Sequence, residues 1–124
     1  KLIIDATNPL VKTANGYARP IPENITAGEW MQNRLPKTSI IKSFTTLWSK
    51  YLETESNREG GLLVMPLSGN NDQHKKQVTQ LIEEAGFFPY DLGDLVQSKP
   101  QDPGSSVWNK PLTLKEFEIA IRQY

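Results

Sequence analysis

The first residues of the sequence form a short aliphatic strand that ends abruptly in a polar segment. Leu2–Ile4 is followed directly by Asp5–Pro9, a pattern typical of a core strand in a parallel sheet that runs into a polar loop. Such a strand needs neighbouring strands on both edges and helices on both faces. Because few residues lie upstream to supply them, we expect this chain to be the later part of a larger α/β fold.

Length and charge exclude several classes of protein. The chain has 124 residues, the size of one domain, and its 14 basic and 14 acidic side chains give a formal net charge of zero. A balanced charge gives no electrostatic footprint for nucleic acid or an anionic membrane surface. No apolar run is long enough for a membrane span, and these residues contain no basic-then-apolar pattern of a signal peptide, which an amino terminus preceding Lys1 could still carry. The absence of cysteine excludes disulfides and thiolate sites. We therefore expect a cytoplasmic protein that binds neither nucleic acid nor membrane.

Four apolar runs are predicted to be strands, and amphipathic segments separate the later ones. The runs are Leu2–Ile4, Ser39–Phe44, Leu62–Leu67 and Phe87–Tyr90. Strands that alternate with helices indicate βαβ units and parallel pairing. The predicted fold class is therefore α/β, with a mostly parallel sheet.

Local signals predict where the helices begin and end. A capping box at Thr26–Glu29 begins one helix, and a second capping box at Thr113–Glu116 begins the last. The clearest helix starts near Asn71 or Asp72 and stops before Gly86, with apolar residues at three- and four-residue spacing. Prolines and a glycine between the last two helices indicate an irregular arm.

Small polar residues follow three of the predicted strands. The segments are Thr7–Pro9, Thr45–Thr46 and Ser68–Asn71. Because ligands of open parallel sheets bind beyond the carboxyl ends of the strands, we expect the three segments to face one rim and to form a polar ligand site. Ordinary turn chemistry is the simpler explanation for any one of these loops. Together they predict a ligand rim without identifying the ligand.

Other residues that could carry chemistry have simple structural explanations. His74, the one histidine, lies on the polar face of the clearest helix, and without cysteine no metal site is predicted. Lys42 interrupts an apolar strand and either reaches the rim or extends from the strand end to solvent. Trp30, Trp48 and Trp108 are expected in core packing or in an interface. The sequence therefore predicts no catalytic acid, base or nucleophile.

Four segments, in order, resemble one family: the NADP oxidoreductases related to the deazaflavin-coenzyme-dependent NADP reductase. Leu2–Leu10 is similar to the family's strand and loop VIDATNPL, and Ile40–Leu47 is similar to its segment VVKAFNT. Leu67–Asp72 resembles VAGDD, and Gly86–Leu95 resembles GFEPVDLGPL. The order and the intervals of the four segments make the resemblance fairly specific.

The resemblance implies a fold and a division of the chain. Residues 1–99 would be the distal part of a Rossmann-like, three-layer domain, and residues 100–124 a proline-rich arm with a C-terminal helix. The family's glycine-rich turn, which holds the cofactor pyrophosphate, belongs to N-terminal βαβ units that would precede Lys1. We therefore expect this chain alone to be inactive and not to bind NADP tightly. Strand edges left exposed without those units favour a homo-oligomer.

The resemblance also implies hydride transfer between NADP(H) and a flavin, a deazaflavin or another small acceptor. Asn8 and Pro9 would border the nicotinamide. The residues that the resemblance assigns to the acceptor are Thr45, Thr46, Leu47 and Ser98. The cofactor would supply the chemistry, while the protein would fix distance and orientation and exclude water. The alternative is a non-catalytic member of the family that dimerises or binds a partner.

Overall fold

A computed structural model describes residues 1–123. In chain order the elements are β1 (Leu2–Asp5), β2 (Val11–Thr13), β3 (Gly16–Ala18), α1 (Ala27–Arg34), β4 (Ser39–Ser43), α2 (Ser49–Thr54), β5 (Val64–Gly69), α3 (Asp72–Glu84), β6 (Phe88–Asp91), two 3₁₀ turns (Leu95–Gln97 and Lys99–Gln101) and α4 (Leu114–Ile121). Within residues 1–123, no helix has the length and apolar character needed to cross a membrane.

Four strands form one sheet in the order β1-β4-β5-β6, and β2 pairs with β3 in a separate antiparallel hairpin. β1 runs parallel to β4, and β5 runs parallel to β6. Helices cover both faces of the sheet, with α3 on one face and α1 on the other. The predicted α/β class with a mostly parallel sheet is confirmed.

The central pair of the sheet differs from the prediction, because β4 and β5 are antiparallel, with Ile41 opposite Gly69. Residues 44–63 join the two strands and include the six-residue helix α2. β5 begins at the end of the sheet where β4 stops, since Leu67 lies opposite Ser43. Alternation of strands and helices along the sequence predicts a mostly parallel sheet but does not determine the direction of each strand.

Most of the apolar core lies between the sheet and α3. Ile41 of β4 and Leu67 of β5 pack with Val78 of α3, and all three side chains are buried. Because successive residues of a strand face opposite ways, Lys42 and Ser68 lie on the other face of the sheet. Val64 lies on that same face and packs with Phe117 of α4 in a second apolar cluster, so the face carries both polar and apolar buried side chains.

The predicted helix starts are confirmed. Thr26 Oγ1 accepts from the backbone N–H of Glu29 at 3.1 Å, and the Glu29 carboxylate accepts from the backbone N–H of Thr26 at 2.8 Å. Asn71 caps α3 by accepting a backbone N–H at 2.9 Å. At the start of α4, Glu116 accepts from the backbone N–H and the hydroxyl of Thr113. Each cap satisfies N–H groups that the first turn of a helix leaves unpaired.

The outer edge of β1 is open in the described chain and supports a prediction of self-association. β1 pairs with β4 alone, and Ile3 on this strand is 41% exposed. Because an open apolar edge pairs readily with another chain, we predict oligomers in light scattering and a lower apparent mass for Ile3→Lys. Leu81→Lys, on the exposed surface of α3, is the control and should not change the mass. A strictly monomeric parent chain would contradict this prediction.

Candidate functional site

The loops that follow β1 and β4 meet the arm at a cavity of about 360 Å³. Parallel pairing puts the carboxyl ends of β1 and β4 at the same edge of the sheet. The polar and aromatic side chains that line this rim cavity are those of Asn8, Phe44, Thr45, Trp48, Ser49, Trp108 and Asn109. The rest of its described lining is leucine and alanine, so no charged side chain borders it. Residues 1–123 also hold no cluster of His, Asp and Glu suited to a metal ion.

Three of the site residues predicted from the sequence come together here. Asn8, Thr45 and Leu47 all line the rim cavity. Pro9 lies with Asn8 on a second, smaller cavity of about 180 Å³ beside α1. Thr46 is buried, and its carbonyl accepts a hydrogen bond from the arm. The binding roles of these residues stay predictions.

Ser98 lies elsewhere, packed against the start of α1. It is fully buried, and a Cβ added to Gly28 would come within 2.9 Å of its Oγ. This close approach explains a glycine in α1, which costs about 1 kcal/mol relative to alanine in a helix. Ser98 is not part of the rim-cavity lining, and its place beside an acceptor stays a prediction.

The third predicted loop lies at the opposite end of the sheet, so the expectation of one rim formed by three loops is wrong. Because β5 is antiparallel to β4, its carboxyl end at Gly69 is opposite Ile41, and the chain then continues towards the start of β4. Asn70 and Asn71 line a surface cavity there together with Ser39. Asn70 accepts a backbone N–H from the segment after β6 at 2.9 Å, and Asn71 caps α3. Turn and cap chemistry therefore accounts for this segment.

An unusual backbone conformation turns the chain from β4 into the two threonines. Phe44 has a φ of 60°, a conformation that costs a bulky residue on the order of 1–3 kcal/mol, and its side chain packs against the main core. The Oγ1 atoms of Thr45 and Thr46 are buried and have no hydrogen-bond partner within residues 1–123. Buried hydroxyls are normally paired. Of the two threonines, Thr45 lines the rim cavity and Thr46 does not, so the Thr45 hydroxyl is the one placed to meet a ligand or water.

A buried lysine connects the loop after β1 to β4. Lys42 is fully buried, and its Nζ donates to the backbone carbonyl of Thr7 at 2.9 Å and lies 3.6 Å from Asp5 Oδ2. Asp5 Oδ1 accepts from both the backbone N–H and the hydroxyl of Thr7, at 2.9 and 2.6 Å. Of the two alternatives that the sequence left open for Lys42, the structure shows contact with the rim loop. These bonds fix the turn directly before Asn8.

The arm closes the rim cavity through hydrogen bonds to both loops. Trp108 Nε1 donates to Asn8 Oδ1 at 3.2 Å. The backbone N–H of Asn109 donates to the carbonyl of Thr46, and Asn109 Oδ1 accepts from the backbone N–H of Trp48 at 3.0 Å. Sequence reasoning missed Asn109 and expected Trp108 in the core or an interface. A contact between residues 100 positions apart leaves no local sequence signal.

Comparison with known proteins gives several similar solved structures, including the two described next. No family model and no curated protein matches the sequence. The hypothetical protein SMa0349 from Sinorhizobium meliloti is 29% identical with a TM-score of 0.81, over 91% of this chain and 55% of that one. A protein from Arthrobacter sp. FB24, described as a putative F420-dependent NADP-reductase, is 24% identical with a TM-score of 0.70, over 80% of this chain and 46% of that one.

These likenesses establish the architecture of the chain. It has the Rossmann-like α/β fold of both structures, and the resemblance to the deazaflavin-dependent NADP reductases is confirmed as a likeness of fold. The chain spans about half the length of each of the two structures. The reaction must therefore be inferred from the site itself.

The Lys42 contacts give a prediction for stability. We expect Lys42→Met to lower the free energy of unfolding by about 3 kcal/mol, because it leaves Asp5 buried without its cation. Urea unfolding measures the difference, and Lys76→Met on the exposed surface of α3 is the control. Equal stability of the parent chain and Lys42→Met would contradict the structural role of the pair.

The pH dependence of this difference gives a second test. Burial lowers the pKa of Lys42 from its usual value of 10.5, although the carboxylates of Asp5 and Asp102 act in the opposite direction. Between the lowered pKa and the usual value the unfolded chain binds more protons, so the contribution of Lys42 to stability rises with pH there. The parent chain should therefore gain stability over that interval relative to Lys42→Met. A difference that is constant with pH would contradict the lowered pKa.

Proposed function

We propose that this chain is part of an NADP(H)-dependent oxidoreductase and that the rim cavity receives the rings between which a hydride passes. The observation that carries the proposal is the cavity at the joined ends of β1 and β4, with Asn8 and Thr45 in its lining. Ligands of α/β sheets bind at such carboxyl ends. The fold likeness to a putative NADP-reductase and the four resembling segments support the same class of reaction.

The residues of the rim cavity suit a ring better than a phosphate. A volume of about 360 Å³ lies within the range of small-molecule sites. Leu47 and Phe44 offer apolar walls, and the free hydroxyl of Thr45 and the amide of Asn8 offer hydrogen bonds. No positive charge in the described lining could balance a pyrophosphate. We propose that further βαβ units, placed on the open edge of β1, hold that part of the cofactor.

The contribution of the chain to the reaction is geometric. Bound NADPH would supply a hydride, and a flavin-like acceptor would take it together with a proton from solvent. Lys42 and Asp5 hold the turn before Asn8, and the backbone of Phe44 leads into Thr45, so these two residues would contact the rings from fixed positions. Fixed distance and exclusion of water accelerate the transfer without a protein acid or base.

A second function, a non-catalytic module that dimerises or binds a partner, is favoured by one observation. The apolar side chain of Ile3 is exposed on β1, and the outer edge of this strand is unpaired within residues 1–123. An open strand edge pairs readily with another chain. NADPH oxidation by the full-length protein distinguishes the two functions. An oxidoreductase would oxidise NADPH, whereas an interaction module would bind its partner without oxidising NADPH.

We predict that this chain alone does not bind NADPH with micromolar affinity. The full-length protein should oxidise NADPH in the presence of a flavin acceptor, as followed by the loss of NADPH absorbance. Micromolar NADPH affinity of the isolated chain would refute the proposal that the pyrophosphate is held elsewhere. Absence of NADPH oxidation by the full-length protein with any flavin acceptor would favour the interaction module.

A substitution at the rim tests the site directly. In the full-length protein, Asn8→Ala should lower kcat/KM by about 10- to 100-fold, because a small displacement of a reacting ring has an effect of that order. Asn33→Ala, on the exposed side of α1 and away from the rim cavity, is the matched control. Equal kcat/KM for the parent protein and Asn8→Ala would place the reaction outside the rim cavity.

A further inference from the structure

The rim cavity has two tryptophans in its lining, and the four resembling segments include neither of them. Trp48 follows β4, and Trp108 belongs to the arm. Trp48 is 60% exposed, which is not the environment of a core residue. An indole ring offers a large flat apolar surface, to which planar rings stack with a preferred geometry. Two indoles at one cavity therefore point to a flat ligand.

The hydrogen bond from Trp108 determines how the Asn8 amide is oriented. An indole N–H can donate but cannot accept, so the amide atom that faces it at 3.2 Å is Asn8 Oδ1. The NH₂ group of the same amide is then the part that can donate to a ligand. Thr45 adds a buried hydroxyl without a partner in the described chain. These groups match a ligand that carries a carbonyl oxygen.

The charge of the lining sets a further limit on the ligand. Every described side chain at the rim cavity is neutral. Removing a charged group from water is costly unless a partner of opposite charge or a set of hydrogen bonds receives it. The cavity therefore favours an uncharged group over a phosphate or a carboxylate.

We propose that Trp108 is a specificity-determining residue of the rim cavity. It orients Asn8 and, together with Trp48, selects an uncharged planar ring that bears a carbonyl group. This inference rests on the proposed function, since it specifies which part of a ligand that site takes. The arm is then a wall of the binding site, although it lies outside the part of the chain that resembles the reductases.

Riboflavin is the probe for this inference, because it is uncharged and planar and has ring carbonyls. Its binding to the chain is followed by quenching of riboflavin fluorescence. Trp108→Phe should weaken binding about tenfold, since it keeps a ring but loses the donor that orients Asn8. Trp30→Phe, on α1 and outside the rim cavity, is the matched control and should leave the dissociation constant unchanged.

Asn8→Asp is a second variant that separates orientation from folding. The substituted side chain keeps an oxygen to accept from Trp108, but it loses the NH₂ donor and gains a negative charge. Circular dichroism should match that of the parent chain, while riboflavin binding should be lost. The phosphate of FMN should add no affinity over riboflavin. The inference would be overturned if Trp108→Phe and Trp30→Phe had equal effects on riboflavin binding, or if Asn8→Asp left this binding unchanged. It would also be overturned if FMN bound more tightly than riboflavin, or if the parent chain did not bind riboflavin.

NADPH oxidation by the full-length protein separates this inference from the proposed function. If the protein oxidises NADPH but Trp108→Phe leaves riboflavin binding unchanged, the proposed role of Trp108 is wrong and the proposed oxidoreductase function is supported. If riboflavin binding depends on Trp108 but no NADPH is oxidised, the proposed reaction is wrong and the proposed ring-binding site is supported.

Discussion

The contact between buried Lys42 and the loop after β1 is the interaction on which the candidate site depends. A lysine without exposed surface needs acceptors, and it finds the carbonyl of Thr7 and the carboxylate of Asp5. The same carboxylate holds the N–H and the hydroxyl of Thr7. Burial of the charges of Lys42 and Asp5 is unfavourable by itself. The hydrogen bonds that compensate for it hold Thr7 in place and thereby fix the backbone next to Asn8. Without this connection the rim loop would be an ordinary polar loop.

The site is assembled from three distant parts of the chain. Parallel pairing joins the loops after β1 and β4, and the arm returns from the far end of the sheet to bridge them through Trp108 and Asn109. The antiparallel direction of β5 removes the third polar loop from the rim. The sequence predicted a polar rim formed by the loops after three strands. The structure instead shows a cavity formed by the loops after two strands and by the arm, and its lining is neutral and partly aromatic.

The sequence predicted those features that depend on neighbouring residues. Apolar runs and capping boxes act over a few positions, and they located the four sheet strands and the starts of three helices. The β2–β3 hairpin also carries a local signal, Asn15-Gly16, although its exposed strands lack an apolar run. The direction of β5 depends on its pairing with β4, which lies more than twenty residues away, and the contact of Trp108 with Asn8 joins residues 100 positions apart. The loops after β1 and β4 were therefore predictable as parts of the site, whereas the contact of the predicted arm with these loops was not.

The central claim is that the reacting ring lies in the rim cavity, at the ends of β1 and β4. A crystal structure of the full-length protein with NADPH and a flavin acceptor tests it most directly. The account predicts ring density between Trp48 and Trp108, with a ring carbonyl within hydrogen-bond distance of the Asn8 amide. Ring density at the opposite end of the sheet, beside Asn70 and Asn71, would contradict it.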